Sequence, residues 1–141
     1  MWQSTSALSL AGIHDQAQSE CADLSALAMA DSHSALVLVW NYHNDDLPTP
    51  PAEIAIALNG VPAATTQLRH YRIDHEHSNA YATWLALGSP QQVSATQRQA
   101  LEQAGQLALL APPTSATTRN GQAVLHFALP RRGVSLLYLT W

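Results

Sequence analysis

Apolar and polar positions alternate along most of this chain with a period of two. In Glu53-Ile54-Ala55-Ile56-Ala57-Leu58 the three large side chains point one way, as a half-buried strand requires. Ala123, Leu125, Phe127 and Leu129 alternate with Val124, His126 and Ala128 in the same manner. Thr66 to Ile73 is a weaker version, with Leu68 on one face and Tyr71 and Ile73 on the other. Two runs, Ala35–Tyr42 and Val134–Trp141, are apolar on both faces. The first is expected to be a central strand covered on both sides. The small apolar run Ala22–Ala30 precedes it, and the polar turn Asp31-Ser32-His33-Ser34 between them predicts a hairpin. A further short strand is expected around Ala7–Ile13.

Turn chemistry separates these runs. Prolines 48, 50 and 51 make residues 44–51 a loop. Asn59-Gly60 ends one strand, and Pro130-Arg131-Arg132-Gly133 turns between the last two. Asn120-Gly121 suits the positive φ angles of a type I′ hairpin. The period changes after residue 77. Ser78 is the expected cap of a short helix with Ala80, Tyr81, Trp84 and Leu85 on one face and Gly88 at its end. Ser94 with Gln97 forms a capping-box pattern opening a helix to about Ala104, stopped by Gly105. About seven short strands broken by turns predict an antiparallel β-sandwich of immunoglobulin-like architecture. A helical insertion at 78–104 interrupts this mainly β fold. Residues 1–141 form one domain, with a poorly defined segment at 1–19.

Composition narrows the function classes. The chain has 141 residues, 47% hydrophobic, with six arginines, no lysine and a net charge of -4. That balance gives no general attraction to nucleic acid or anionic lipid. The single cysteine, Cys21, excludes an internal disulfide and has no recognisable catalytic surroundings. No stretch approaches a membrane span. The first residues show no export signal, which leaves cytoplasm and periplasm both open.

The segment Arg72-Ile73-Asp74-His75-Glu76-His77 sets histidines beside carboxylates and invites a metal or catalytic reading. If extended, it would turn His75 and His77 to one face, with His70 five residues before. Zinc needs three or four convergent ligands, and none of its usual spacings is present. His70, within a strand, is expected to pack and bond locally. Glycoside hydrolysis needs two carboxyls flanking the scissile bond. The four glutamates, Glu20, Glu53, Glu76 and Glu102, do not pair in the pattern, and Asp45-Asp46 lies in the proline-bounded loop. No Gly-x-Ser-x-Gly elbow occurs. No catalytic residue, metal or cofactor is therefore assigned. A sugar-binding surface would use exposed aromatics. Trp40 and Trp84 are expected to pack, leaving Trp2 and Trp141 near the termini.

One long run carries a resemblance. Arg72-Ile73-Asp74, then His77-Ser78-Asn79-Ala80-Tyr81, Trp84 and Gly88-Ser89-Pro90-Gln91 resemble the C-terminal region of family 39 glycoside hydrolases, the β-xylosidases. Val39-Trp40-Asn41-Tyr42-His43 with Asp45-Asp46 is similar to that family's strand and acidic loop. Leu129-Pro130-Arg131-Arg132-Gly133-Val134-Ser135-Leu136-Leu137 is similar to its final hairpin. The likeness covers about residues 22–141. Leu85-Ala86-Leu87 departs from it, standing where a basic residue and a methionine are expected. The resemblance implies a β-sandwich that accompanies a catalytic (β/α)8 barrel. The family's acid/base glutamate lies in an Asn-Glu-Pro motif, absent here, and a barrel takes about 250 residues. Neither family glutamate is carried over. The implied role is non-catalytic: a buttress for the barrel, with xylo-oligosaccharide as a second possible partner. Asp74, His77, Asn79, Tyr81 and Trp84 are the candidate residues, either at an interdomain surface or locking the loop. The alternative is a free-standing carbohydrate-binding or protein-interaction module, with Trp2 or Trp141 exposed.

Overall fold

The computed structural model describes residues 10–11, 23–44 and 48–141. Strand β1 (Leu10–Ala11) is a short piece within the strand expected at 7–13. Cys21, Trp2, Glu20 and Asp45-Asp46 lie outside the described residues. Strands β2 (Asp23–Ala30) and β3 (Ser34–Tyr42) form the expected hairpin, paired in register from Asp23↔Tyr42 to Ala30↔Ala35. Its turn is held by the Asp31 carboxylate, which accepts from the His33 and Ser34 N–H groups at 2.7 Å each.

Strands β4 (Ala52–Asn59) and β5 (Thr65–Ile73) follow, then helices α1 (Ala80–Ala86) and α2 (Ala95–Ala104). The short β6 (Ala108–Leu109) adds to β5 through Tyr71↔Leu109. Strands β7 (Thr114–Arg119), β8 (Gln122–Leu129) and β9 (Gly133–Thr140) complete the chain. All pairings are antiparallel, in the order β1-β4-β8-β7-β5-β9-β3-β2. The sheet curls on itself as a β-sandwich. Strand β7 makes the bend, giving its start to β5 and its end to β8.

The core lies between the two layers. Ile54, Ile56 and Leu58 of β4 and Leu125 and Leu129 of β8 meet Val37 and Val39 of β3 and Leu137 and Leu139 of β9. The alternation of β4, β5 and β8 is seen as expected. Asn120 and Gly121 both take positive φ, 52° and 75°, as a type I′ turn demands. Strand β7, Thr-Ser-Ala-Thr-Thr-Arg, has almost no apolar residue to reveal it and was not expected as a strand.

One expectation needs correction. Strand β3 is central but not covered on both sides. Ala35, Val37, Val39 and Asn41 are buried, whereas Leu36, Leu38 and Trp40 stand half-buried on the outer face and Tyr42 is exposed. Trp40 is thus not a core residue. Trp141, an exposed aromatic only under the alternative of a free-standing binding module, packs half-buried against the core. Its indole N–H donates to the Ser32 carbonyl at 2.9 Å and its backbone N–H to His33 at 3.0 Å.

Candidate functional site

Strand β5 places the site. Thr66, Leu68, His70 and Arg72 face inward and Gln67, Arg69, Tyr71 and Ile73 face outward, so the strand carries its two basic inner residues, His70 and Arg72, at the end nearest the helical insertion. Arg72 is 4% exposed and Ser135, its partner on β9, is fully buried. The Arg72 Nε–H donates to Ser135 Oγ at 3.0 Å, and Nη2 donates to the Ala128 carbonyl of β8 at 2.9 Å. One guanidinium therefore ties the two layers together. A second tie runs from Asn41 Nδ2 to the Leu129 carbonyl at 3.1 Å. Since Asn41 Nδ2 donates, its Oδ1 accepts, and His43 Nε2–H at 2.9 Å supplies the proton.

His70 Nε2 lies 2.9 Å from Ser135 Oγ, which superficially suggests a base beside a nucleophile. The weakness of the base rules this out. Ser135 Oγ accepts from the Arg72 Nε–H and keeps a second lone pair and a proton, so the direction of its bond to His70 Nε2 follows the imidazole tautomer. Burial, helped by the Arg72 charge, pushes His70 down to about 4. The Phe127 ring packs edge-on against it at 4.9 Å. A base this weak, bonded to a hydroxyl no substrate reaches, gives no nucleophile at neutral pH. The pair is a structural polar tie, in line with the local bonding expected of His70.

Asp74 organises the loop that follows. Its Oδ1 accepts from the Glu76 N–H at 2.9 Å, the His77 N–H at 2.9 Å and His77 Nδ1 at 2.8 Å. Its Oδ2 sits 3.5 Å from Arg72 Nη1. Burial raises the Asp74 pKa, but the bonds from His77 and the Glu76 N–H outweigh it and hold the carboxyl below its ordinary value. Residues 74–78 form a bend, not the extended segment that would aim His75 and His77 at one metal. His70 points into the core and His77 is bonded to Asp74. Among the described residues no three His, Cys, Asp or Glu side chains converge on a metal position.

Ser78 turns the chain with a left-handed φ of 52°. Its hydroxyl donates to the Arg72 carbonyl at 2.8 Å and accepts from the Ala108 N–H at 2.9 Å. The helix cap is the next residue, not Ser78 as expected. Asn79 Oδ1 accepts from the N–H groups of Tyr81 and Ala82 at 3.0 and 3.2 Å. Its Nδ2 donates back to the Asp74 carbonyl at 3.0 Å. Ser78 is unavailable because its hydroxyl is spent on β5 and β6. The cap pattern of α2 is as expected, with Ser94 and Gln97 bonded reciprocally.

Helix α1 keeps no buried residue. Tyr81 and Trp84 stack at 5.7 Å, and the Trp84 indole N–H donates to the Pro90 carbonyl at 3.2 Å. Trp84 is half-buried, but Tyr81 is 63% and Leu85 47% exposed. The apolar face of α1 is turned outward. Beside it lies an open cleft of about 610 Å³, lined by Ile73, His75, Asn79, Tyr81, Arg131 and Arg132 among others. A smaller cleft of about 280 Å³ sets Asp74 and Glu76 beside Arg131. A glycosidase acid needs a raised pKa. Asp74 is lowered and its Oδ1 accepts three N–H bonds, so it does not fit that role. Glu53 and Glu102 are exposed on separate elements.

Solved structures share this fold. A GH39 enzyme from Xanthomonas axonopodis pv. citri matches with a TM-score of 0.71 over 82% of this chain, at 21% identity. The fold is that of a domain carried by family 39 glycoside hydrolases. A monomeric β-xylosidase from Caulobacter crescentus CB15 gives a TM-score of 0.68 at 16% identity, over 82% of this chain. A bacterial orthologue of human α-L-iduronidase gives 0.61 at 18%, over 83%. This chain spans only 25%, 26% and 22% of those three chains. At such identities the likeness is one of fold, and it agrees with the resemblance carried by residues 72–91. No family model and no curated protein matches the chain.

Sequence reasoning picked out Asp74, His77, Asn79, Tyr81 and Trp84, and the structure brings all five into one loop-and-helix unit. It missed the ties made by Arg72, Ser135, Asn41 and His43. One signal was available: Arg72 and His70 share their parity in β5 with Leu68, which marks them as inward-facing.

Proposed function

We propose that this chain is a non-catalytic β-sandwich module of a β-xylosidase-like glycoside hydrolase. It buttresses a (β/α)8 catalytic barrel in the same polypeptide, and the parent enzyme acts in xylan degradation. The observation that carries this reading is the fold match, which covers four-fifths of this chain but a quarter of a glycoside hydrolase. The loop supports it. Asp74, His77 and Asn79 spend their bonding capacity on the loop itself, which suits a part that holds shape. Helix α1 is seven residues long, too short to be stable alone, yet presents Tyr81 and Leu85 outward. A pinned helix with an outward apolar face is what an interdomain contact needs.

Replacing Tyr81 and Trp84 together by serine in the barrel-bearing polypeptide tests this reading. The expected result is a lower melting temperature for the barrel and a shorter half-life of xylosidase activity. Unchanged stability and activity would reject the buttress.

A further inference from the structure

The outer face of the β2-β3-β9-β5 layer carries an inference beyond the 72–91 surface. Strand register sets Leu27, Leu38, Leu136, Tyr71 and Leu109 in one row across five strands. The row above it holds Met29, Leu36, Tyr138 and Arg69; the row below holds Ser25, Trp40, Val134 and Ile73. Arg69 is the one charge in these three rows. A sheet face turned to water normally alternates to polar residues, and here it does not. Leu27 is 56% exposed, Met29 59%, Ile73 44% and Leu109 39%.

We propose that this face is a docking surface for a second, larger domain of the same polypeptide, which meets it with a flat, uncharged, apolar surface. The inference rests on the reading given under Proposed function and adds the place where the two domains join. Three observations select this occupant. The first is size. Strands about 4.8 Å apart and alternate residues about 6.8 Å apart give one row of five and two rows of four a face of roughly 420 Å². Domain interfaces within one chain bury about 600–1,500 Å² over both sides, so one side takes about half of that. A stable complex of separate chains needs about 800 Å² from each partner, more than this face supplies. The second is chemistry. A glycan surface needs polar groups converging beside its aromatics, and the central row is four leucines and a tyrosine. The third is continuity. Ile73 ends the lower row and also lines the cleft beside Tyr81, so the face and the outward side of α1 form one surface. The solved chains that share this fold devote about three-quarters of their length to other structure.

Radical footprinting read by mass spectrometry tests the proposal, comparing the 141-residue chain with the polypeptide that also bears the larger domain. Labelling of Leu38, Leu136 and Tyr138 is expected to fall at least fivefold in the longer polypeptide. Val124, 48% exposed on the opposite layer, should be labelled equally in both. Leu27→Glu, at an exposed edge position, should leave the melting of the short chain unchanged and lower that of the longer one. Equal labelling of the face in both would overturn the proposal. If Tyr81 were protected in that same experiment, the buttress reading would stand and only the face would fall. A dimer of the short chain that Leu27→Glu dissociates would overturn the proposal in favour of a second copy. Saturable quenching of tryptophan fluorescence by xylohexaose, removed by Trp40→Ala, would overturn it in favour of a glycan. A polypeptide with no larger domain would overturn both readings.

Discussion

Asp74→Ala is the most informative single change in the loop. The carboxylate side chain is 8% exposed and accepts three N–H bonds at 2.8–2.9 Å. Hydrogen bonds to a charged group contribute roughly 1.5–3 kcal/mol each. Glu76 is exposed, so water replaces part of what is lost there, and the Arg72 contact at 3.5 Å adds little. The net cost is then about 3 kcal/mol, or roughly 10 °C in melting temperature for a domain of this size. Urea unfolding followed by tryptophan fluorescence should show a lower midpoint with an unchanged slope. The pH dependence adds a second readout. The folded pKa of Asp74 lies below its ordinary 3.8, so its stabilisation is complete above that pH and is lost as pH falls through the folded value. The variant should lose that acid limb. A cost below about 1 kcal/mol, the worth of one ordinary hydrogen bond, would refute the view that this carboxylate pins the loop.

Other outcomes follow from the same geometry. His70 is held neutral down to about 4 while the unfolded imidazole protonates near 6.5. Its contribution is therefore fully present above pH 6.5 and is lost as pH falls from there to about 4; His70→Gln should flatten the stability curve in that window. Gly133→Ala would set a Cβ 2.7 Å from the Pro130 carbonyl and 3.0 Å from Leu129 Cδ1. It should cost about 2 kcal/mol by overpacking, measured by thermal melt. Asn79→Ala removes the α1 cap and the bond to the Asp74 carbonyl, costing about 1–2 kcal/mol. Hydrogen exchange at Tyr81 and Ala82 should speed up with it.

The strands were legible because each layer buries one face, so β4, β5 and β8 carry the alternation that burial enforces. The helix ends were legible where side chains cap locally, as in the Ser94 and Gln97 box. Three features were not. Strand β7 is polar because it lies at the bend between layers, where little of it enters the core. The α1 cap was misplaced by one residue because Ser78 bonds to β6, thirty residues on, which no local pattern encodes. The outer face of β3 was not legible as an uncovered one, because an apolar side chain leaves the same sequence pattern whether it is buried or exposed.

Turnover of an aryl β-xyloside tests the central claim most directly, measured on the 141-residue chain and on the barrel-bearing polypeptide at equal molar concentration. The short chain is expected to release no nitrophenol above the buffer rate, while the longer polypeptide hydrolyses the substrate. Saturable hydrolysis by the short chain that copurifies with it would contradict the account.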